Sequence, residues 1–188
     1  FHKDYLIIIQ HRVNTQKEIN PKYGLEVDIR DYNNKLVLSH DVPNEQSEDL
    51  EDFLTHIQEN NFLALNIKSV EIEFQLKKIL SEAKISNYFT FDWPIPSLQK
   101  ALSHDLNCAF RLSEYEKHIF PNCEWVWIDS FNEIWYDNDY LISLKKTGIK
   151  LALVSPELHG RKSDIKKVKD LINSVEVDAI CTDIPEYW

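Results

Sequence analysis

Glycine, cysteine and methionine are scarce in this chain of 188 residues, which holds 3 Gly, 3 Cys and no Met. So few glycines exclude a Walker phosphate loop and a dinucleotide fingerprint, since both need glycines at fixed spacing for close backbone approach to phosphate. No G-x-S-x-G elbow occurs, and Ser39-His40-Asp41 is not a triad, because adjacent residues on a strand point apart. Cys108, Cys123 and Cys181 are odd in number and lack C-x-x-C spacing, which argues against a disulfide framework or a zinc site and suits reduced cytosolic thiols. No apolar run reaches the roughly 18 to 20 residues that span a bilayer, and the start lacks the apolar region of a signal peptide. The expectation is a cytoplasmic protein without a transmembrane segment. The sequence opens on Phe1, as a trimmed chain would, which leaves a leader open.

Positive charge is also short. Lys and Arg total 21 against 31 Asp and Glu, a net charge of -10. Extended nucleic-acid binding rests on neutralising phosphates, so it is not expected. A small phosphate ligand would need local cations instead. The apolar fraction of 43% and aromatic fraction of 12% belong to a packed globular protein, and no Pro/Gly/Ser-rich stretch divides it. A single domain over residues 1–188 is expected.

Strand and helix patterns alternate along the chain. Apolar or alternating runs predict strands at 5–10, 24–30, 62–68, 88–91, 108–112, 125–128, 150–154 and 177–181. A turn at Asn33-Asn34 and the segment 35–39 add a hairpin after the second strand. Helical spacing predicts helices over 47–60 with Ser47 as N-cap, 71–83, 94–103, 138–146 and 163–172; Ser113 to Phe120 stays ambiguous. Lysine-rich 162–169 reads as a solvated helix face. Parallel strands joined by right-handed crossovers, repeated eight times, predict an α/β fold, a compact (β/α)8 TIM barrel. An open doubly wound sheet is the other architecture. Such barrels usually have about 250 residues, so something is shortened. The first crossover has only fourteen residues between His11 and Glu26, broken by Pro21 and Gly24, and should hold little or no helix.

Two histidines, an arginine and two acids fall within residues 11–41: His11-Arg12, Glu26-Val27-Asp28 and His40-Asp41. Imidazoles titrate near neutrality and can serve as base and acid. Carboxylates can hold a hard divalent cation against phosphate oxygen. Strand alternation places Leu25, Val27 and Ile29 on one face and Glu26, Asp28 and Arg30 on the other. That acidic face must meet water, a cation or a cationic side chain. An edge strand with a solvated face, or ion pairs to Arg12 or Lys68, would satisfy the same pattern. In a barrel, active-site groups stand at the carboxyl ends of strands, where His11, Arg12, Glu26, Asp28, Asn66, Lys68, Asp92, Arg111 and Asp129 all fall.

HR closing strand one, E-x-D in strand two, HD after a short hairpin, a lysine closing strand three and a terminal VDAICTDIP resemble the glycerophosphodiester phosphodiesterase family, within the phospholipase C-like phosphodiesterases. The resemblance runs from near the start to the end. It implies a hydrolase acting on a small phosphodiester, with His11 and His40 as the acid/base pair. Arg12 and Lys68 would face phosphate, and Glu26 and Asp28 would bind Mg²⁺ or Ca²⁺. It also implies attack by a substrate hydroxyl to give a cyclic phosphate that water then opens. Three positions depart from the family pattern: Val13 follows HR where glycine is common, the first crossover is short, and Asn66-Ile67-Lys68 stands for Glu-x-Lys. Asn66 can be a third, uncharged metal ligand or a hydrogen-bonding brace.

Further candidates lie later in the chain. His159 and Arg161, around Gly160 in a loop after the seventh strand, could touch substrate. Trp127 could wall the pocket or fill the core. Two other functions remain open: a metal-independent lyase that stops at the cyclic phosphate, and a non-catalytic barrel that binds a phosphorylated ligand. A glycerophosphodiester or a polyol or sugar phosphodiester would each suit the chemistry.

Overall fold

A computed structural model describes residues 6–188, so Tyr5, the first residue of the predicted opening strand, lies outside the described residues. In chain order the strands are β1 (Ile7–Gln10), β2 (Gly24–Tyr32), β3 (Lys35–Leu38), β4 (Glu48–Asp49), β5 (Leu63–Ile67), β6 (Tyr88–Phe91), β7 (Ala109–Leu112), β8 (Trp125–Ile128), β9 (Lys150–Val154) and β10 (Ala179–Thr182). The α-helices are α1 (Leu50–Leu54), α2 (Glu73–Glu82), α3 (Ile95–Ser103), α4 (Asn138–Lys145) and α5 (Ile165–Ser174).

Parallel pairing runs from β6 through β5, β2, β1, β10, β9 and β8 to β7. These strands form the predicted α/β barrel. One seam has no continuous ladder: β6 meets the start of β7 through an isolated bridge between Thr90 and Cys108, with the Thr90 N–H donating to the Asn107 carbonyl at 2.8 Å. The Thr90 hydroxyl also donates to that carbonyl at 3.0 Å and accepts the indole N–H of Trp93 at 2.8 Å. Side chains thus bridge part of what the ladder leaves open.

The narrow barrel is filled by setting large residues against small ones. Phe89 and Phe91 of β6 and Trp125 and Trp127 of β8 share the inner cluster with small residues, Ala64 beside Phe89 and Ala152 beside Trp127 as register partners, and Ala179 of β10. Phe91 and Trp127 stack with centroids 4.1 Å apart and an interplanar angle of 23°. Gly24 permits close strand approach, since a Cβ there would meet the Phe62 carbonyl oxygen at 3.1 Å and Ile9 at 3.2 Å. Outward residues of β2 and β5 (Val27, Leu65) pack beneath α1 and α2, and those of β8 and β9 (Ile128, Leu151) beneath α4 and α5.

The hairpin is present: β3 runs antiparallel to β2, across an Asn33-Asn34 turn with both residues at positive φ, as a tight primed turn requires. The predicted helix over 47–60 is much shorter. Glu48 and Asp49 pair with β3 as β4, so the chain turns helical only after them, with Asp49 rather than Ser47 as N-cap. Ser47 accepts the Asn44 N–H at 3.0 Å instead. The first crossover holds only the 3-10 turn Gln16–Glu18. The ambiguous segment 113–120 contains neither helix nor strand, so the β7–β8 crossover lacks its covering helix. No helix among the described residues is long and apolar enough to cross a membrane.

Candidate active site

The loop after β1 is stitched to β2 by the two acids. His11 extends the parallel ladder by donating its N–H to the Thr182 carbonyl at 3.0 Å. Arg12 then takes φ +56, a left-handed conformation that costs a non-glycine residue about 1–2 kcal/mol. The turn aims its N–H at Glu26 Oε2, 2.7 Å away. Asn14 closes a reciprocal pair with Asp28, accepting its backbone N–H at 2.9 Å and donating from Nδ2 to Oδ2 at 2.8 Å. Sequence reasoning missed Asn14, because a polar residue in a loop carries no pattern until its partner is known.

Glu26 and Asp28 do not lie on a solvated edge. β2 is flanked by β1 and β5, and the two acids are 2% and 1% exposed inside the barrel wall. Asn66 of β5 is the register partner of Asp28. Lys68 Nζ stands 3.5 Å from Asp28 Oδ1 and Arg12 Nε 3.9 Å from Oδ2. Burial, and then the Asp28 charge, push the Glu26 carboxyl up to about 8, against the lowering pull of the Arg12 N–H, the Asn66 amide and Lys68. Burial and the Asp28 charge thus both favour the protonated form of Glu26, and a further cation would oppose them. Asn66 Oδ1 is buried with no hydrogen-bond partner, which is unusual for a buried amide oxygen.

Both predicted catalytic histidines are tied through Nδ1 to an aspartate. His11 Nδ1 is 2.8 Å from Asp183 Oδ1, and His40 Nδ1 is 2.9 Å from Asp41 Oδ1. An ionised carboxylate only accepts, so each Nδ1 carries the proton and each Nε2 is left available. His11 Nε2 is 3.9 Å from Glu26 Oε2. The His40 segment is held beside β2 by the Ser39 N–H on the Asp28 carbonyl at 3.1 Å and by Arg30, whose Nη2 donates to the His40 carbonyl at 2.9 Å. The Asp41 carboxyl is lowered chiefly by its bond to His40. Asp183 in turn is anchored by its N–H on Glu157 Oε1 at 3.2 Å, and Glu157 also accepts the Ser155 and Thr182 hydroxyls. The sequence showed Asp183 only as one letter of the terminal motif.

The other candidates cluster across the barrel and are bonded to the protein itself. Arg111 Nη2 meets both Asp92 oxygens at 2.6 Å and Nη1 meets Asp129 Oδ2 at 2.5 Å. His159 Nε2 lies 2.6 Å from Asp129 Oδ1. Arg161 donates to the Ser130 and Phe131 carbonyls at 2.6 Å and to Asp164 at 3.0 Å. Trp127 is 4% exposed in the aromatic stack. These contacts tie His159 to Asp129 and Arg161 to the loop after β8, and Trp127 packs in the aromatic cluster inside the barrel.

Among the described residues no three or more His, Cys, Asp or Glu side chains group so as to hold a metal ion. The site has two such acids plus an amide. Its donors still fit a hard cation: Glu26, Asp28 and the unpartnered Asn66 oxygen are all oxygen ligands, and a divalent charge would favour the ionised Glu26 that burial and then the Asp28 charge disfavour. Water or substrate oxygen would complete the shell.

No protein-family model and no curated protein matches the chain. Solved structures do. A glycerophosphodiester phosphodiesterase from Thermotoga maritima superposes with a TM-score of 0.74 at 16% identity, covering 99% of this chain and 98% of that one. One from Agrobacterium tumefaciens gives 0.70 at 13% identity, covering 96% and 98%. A phosphodiesterase from Oleispira antarctica, in complex with the product sn-glycerol-3-phosphate, gives 0.64 at 14% identity, covering 96% and 94%. The chain therefore has the barrel fold of the glycerophosphodiester phosphodiesterases.

Proposed function

We propose that this protein is a phosphodiester hydrolase that cleaves a small glycerophosphodiester-like or polyol or sugar phosphodiester. The observation that carries this reading is the convergence of His11, Glu26, Asp28, Asn66 and Lys68 at the carboxyl ends of β1, β2 and β5, in a barrel of the phosphodiesterase fold. Glu26, Asp28 and Asn66 would hold Mg²⁺ or Ca²⁺. When bound, the cation supplies charge neutralisation at the phosphate.

The chain's own groups do the rest. Lys68 and the half-exposed Arg12 offer positive charge beside Asp28 to orient the phosphate. His11 and His40 act through Nε2, one removing the proton of the attacking hydroxyl and the other giving a proton to the leaving oxygen. Asp183 and Asp41 orient these rings and do not touch the reacting atoms. His159 and Arg161 support the mouth through Asp129 and the loop after β8, and Trp127 forms its floor.

One feature favours a second reading. Asp28 already has Asn14, Lys68 and Arg12 around it, and Asn66 adds no charge, so the basic side chains alone could stabilise the phosphate in a metal-independent lyase. A panel of phosphodiesters assayed with Mg²⁺, Ca²⁺ or EDTA, with phosphorus NMR of products, separates the two. Metal-dependent opening to a monoester supports the hydrolase. Full turnover in EDTA that stops at a cyclic phosphate supports the lyase, and binding without turnover of any diester overturns both.

A further inference from the structure

Glu157 is 9% exposed and takes no part in the proposed acid–base chemistry. It stands on the 3-10 turn Pro156–His159 that follows β9, and the hydrogen bonds it accepts among the described residues all come from neutral groups. The Ser155 hydroxyl donates to Oε2, and the Thr182 hydroxyl and the Asp183 N–H both donate to Oε1. A buried carboxylate needs such donors in place of water. The turn itself is docked on β10, because the Ser155 N–H donates to the Cys181 carbonyl at 2.8 Å.

The residues that Glu157 holds are those that hold His11. The His11 N–H donates to the Thr182 carbonyl at 3.0 Å, and Nδ1 meets Asp183 Oδ1 at 2.8 Å. Backbone and ring are thus fixed by consecutive residues at the end of β10, and both of these are bonded to Glu157. The Thr182 hydroxyl has no freedom left. It gives its proton to Glu157 and accepts the Ile184 N–H at 3.1 Å and the Trp188 indole N–H at 3.2 Å, which fills the capacity of a hydroxyl. The Asp183 side chain is 56% exposed, so where its carboxylate stands depends on how the backbone beneath it is held.

We propose that Glu157 is a positioning residue for His11: it fixes Thr182 and Asp183, and through them the direction of the imidazole, without touching substrate. The kinetic consequence rests on the hydrolase reading above. A misplacement of about 1 Å at a reacting group can cost on the order of 10²-fold in rate. The loss should fall on kcat rather than KM, since Glu157 orients a proton-transfer group and binds nothing itself.

Substitutions that separate reach from charge test this. Glu157→Ala should lower kcat by about 10 to 100 fold with KM little changed. Glu157→Gln, whose amide oxygen can still take the Thr182 and Asp183 donors, should recover most of that loss. Glu157→Asp keeps the charge on a shorter arm and should stay defective, and it replaces Glu157→Ala if that variant does not fold. Either defect should add little to that of Asp183→Ala, as for residues acting in series. A Gln variant no better than the Asp variant, a defect confined to KM, or full additivity with Asp183→Ala overturns the proposal. Nitrogen NMR reads the His11 ring directly, with or without turnover. At about pH 8, where an ordinary imidazole is neutral, the unsubstituted protein should carry the His11 proton on Nδ1; Glu157→Asp should weaken that preference and Glu157→Gln should keep it. An unchanged tautomer in Glu157→Asp overturns the proposal. Should the unsubstituted protein cleave no diester, the hydrolase reading fails by itself, and the tautomer still decides for Glu157.

Discussion

The two sides of the barrel mouth solve the problem of buried charge in opposite ways. On the β6–β8 side, Asp92, Arg111, Asp129 and His159 are joined by contacts of 2.5–2.6 Å. On the β1–β2–β5 side, two acids share a dry wall, Glu26 is raised to about 8, and Asn66 Oδ1 has no partner. A satisfied network rigidifies a structure, whereas an unsatisfied one costs stability and persists where something else is bound. Polar residues at strand ends are thus poor evidence of function until their partners are known.

The largest effects should come from the unsatisfied side. His11→Ala and His40→Ala are each expected to lower kcat by about 10² to 10⁴ fold, as for a lost general acid or base, with thermal melting little changed. Near-normal turnover in either folded variant would remove that histidine from the chemistry.

Arg111→Met should sharpen the contrast from the other side, by leaving Asp92 and Asp129 facing each other without their cation. A loss of about 3 kcal/mol in urea unfolding is expected, since breaking a buried pair strands its partner. The metal response of turnover should survive. A stable variant with no metal response would reverse the assignment of the two sides.

A smaller loss is expected when only ring orientation is disturbed. Asp183→Ala should lower kcat by about 10 to 100 fold, and Asp183→Asn, whose amide oxygen can still accept from Nδ1, should recover much of it. Equal defects in both, or a defect confined to KM, would argue against a positioning role.

The Glu26 carboxyl links the site to pH. Its folded pKa of about 8 lies above the unfolded value, so the metal-free fold carries an extra proton from about pH 4.3, the unfolded value, up to about pH 8. Stability should therefore fall as pH rises through that window, and added Mg²⁺ or Ca²⁺ should stabilise more at the alkaline end, where it no longer competes with the proton. Melting curves from pH 5 to 9 check this, and Glu26→Gln should flatten the slope and abolish metal stimulation. An unchanged slope in that variant would assign the pH dependence elsewhere.

Asn66→Glu should have the smallest effect, tightening Mg²⁺ or Ca²⁺ by about a factor of 10 or less through added ligand charge. Turnover can fall even so, because a more neutralised cation polarises phosphate less. Equal or weaker affinity by calorimetric titration would make Asn66 a hydrogen-bonding brace.

Much of this protein was determined locally. Alternating apolar runs placed the eight barrel strands, the Asn33-Asn34 turn placed the hairpin, and the short gap after His11 foretold a crossover without an α-helix. These are properties of side-chain period and turn residues, which a chain carries before it folds. The helix over 47–60 was overestimated because pairing of Glu48 and Asp49 with β3 is a long-range contact that helical spacing cannot express. The sequence also nominated His11, Arg12, Glu26, Asp28, His40, Asn66 and Lys68 by type and order. Tertiary structure alone decided which polar residues face one another: Asn14 on Asp28, Asp183 on His11, and Arg111 between two acids. Those pairings join strands and loops far apart in sequence, and whether a buried charge is satisfied depends on distances that exist only once the barrel has formed.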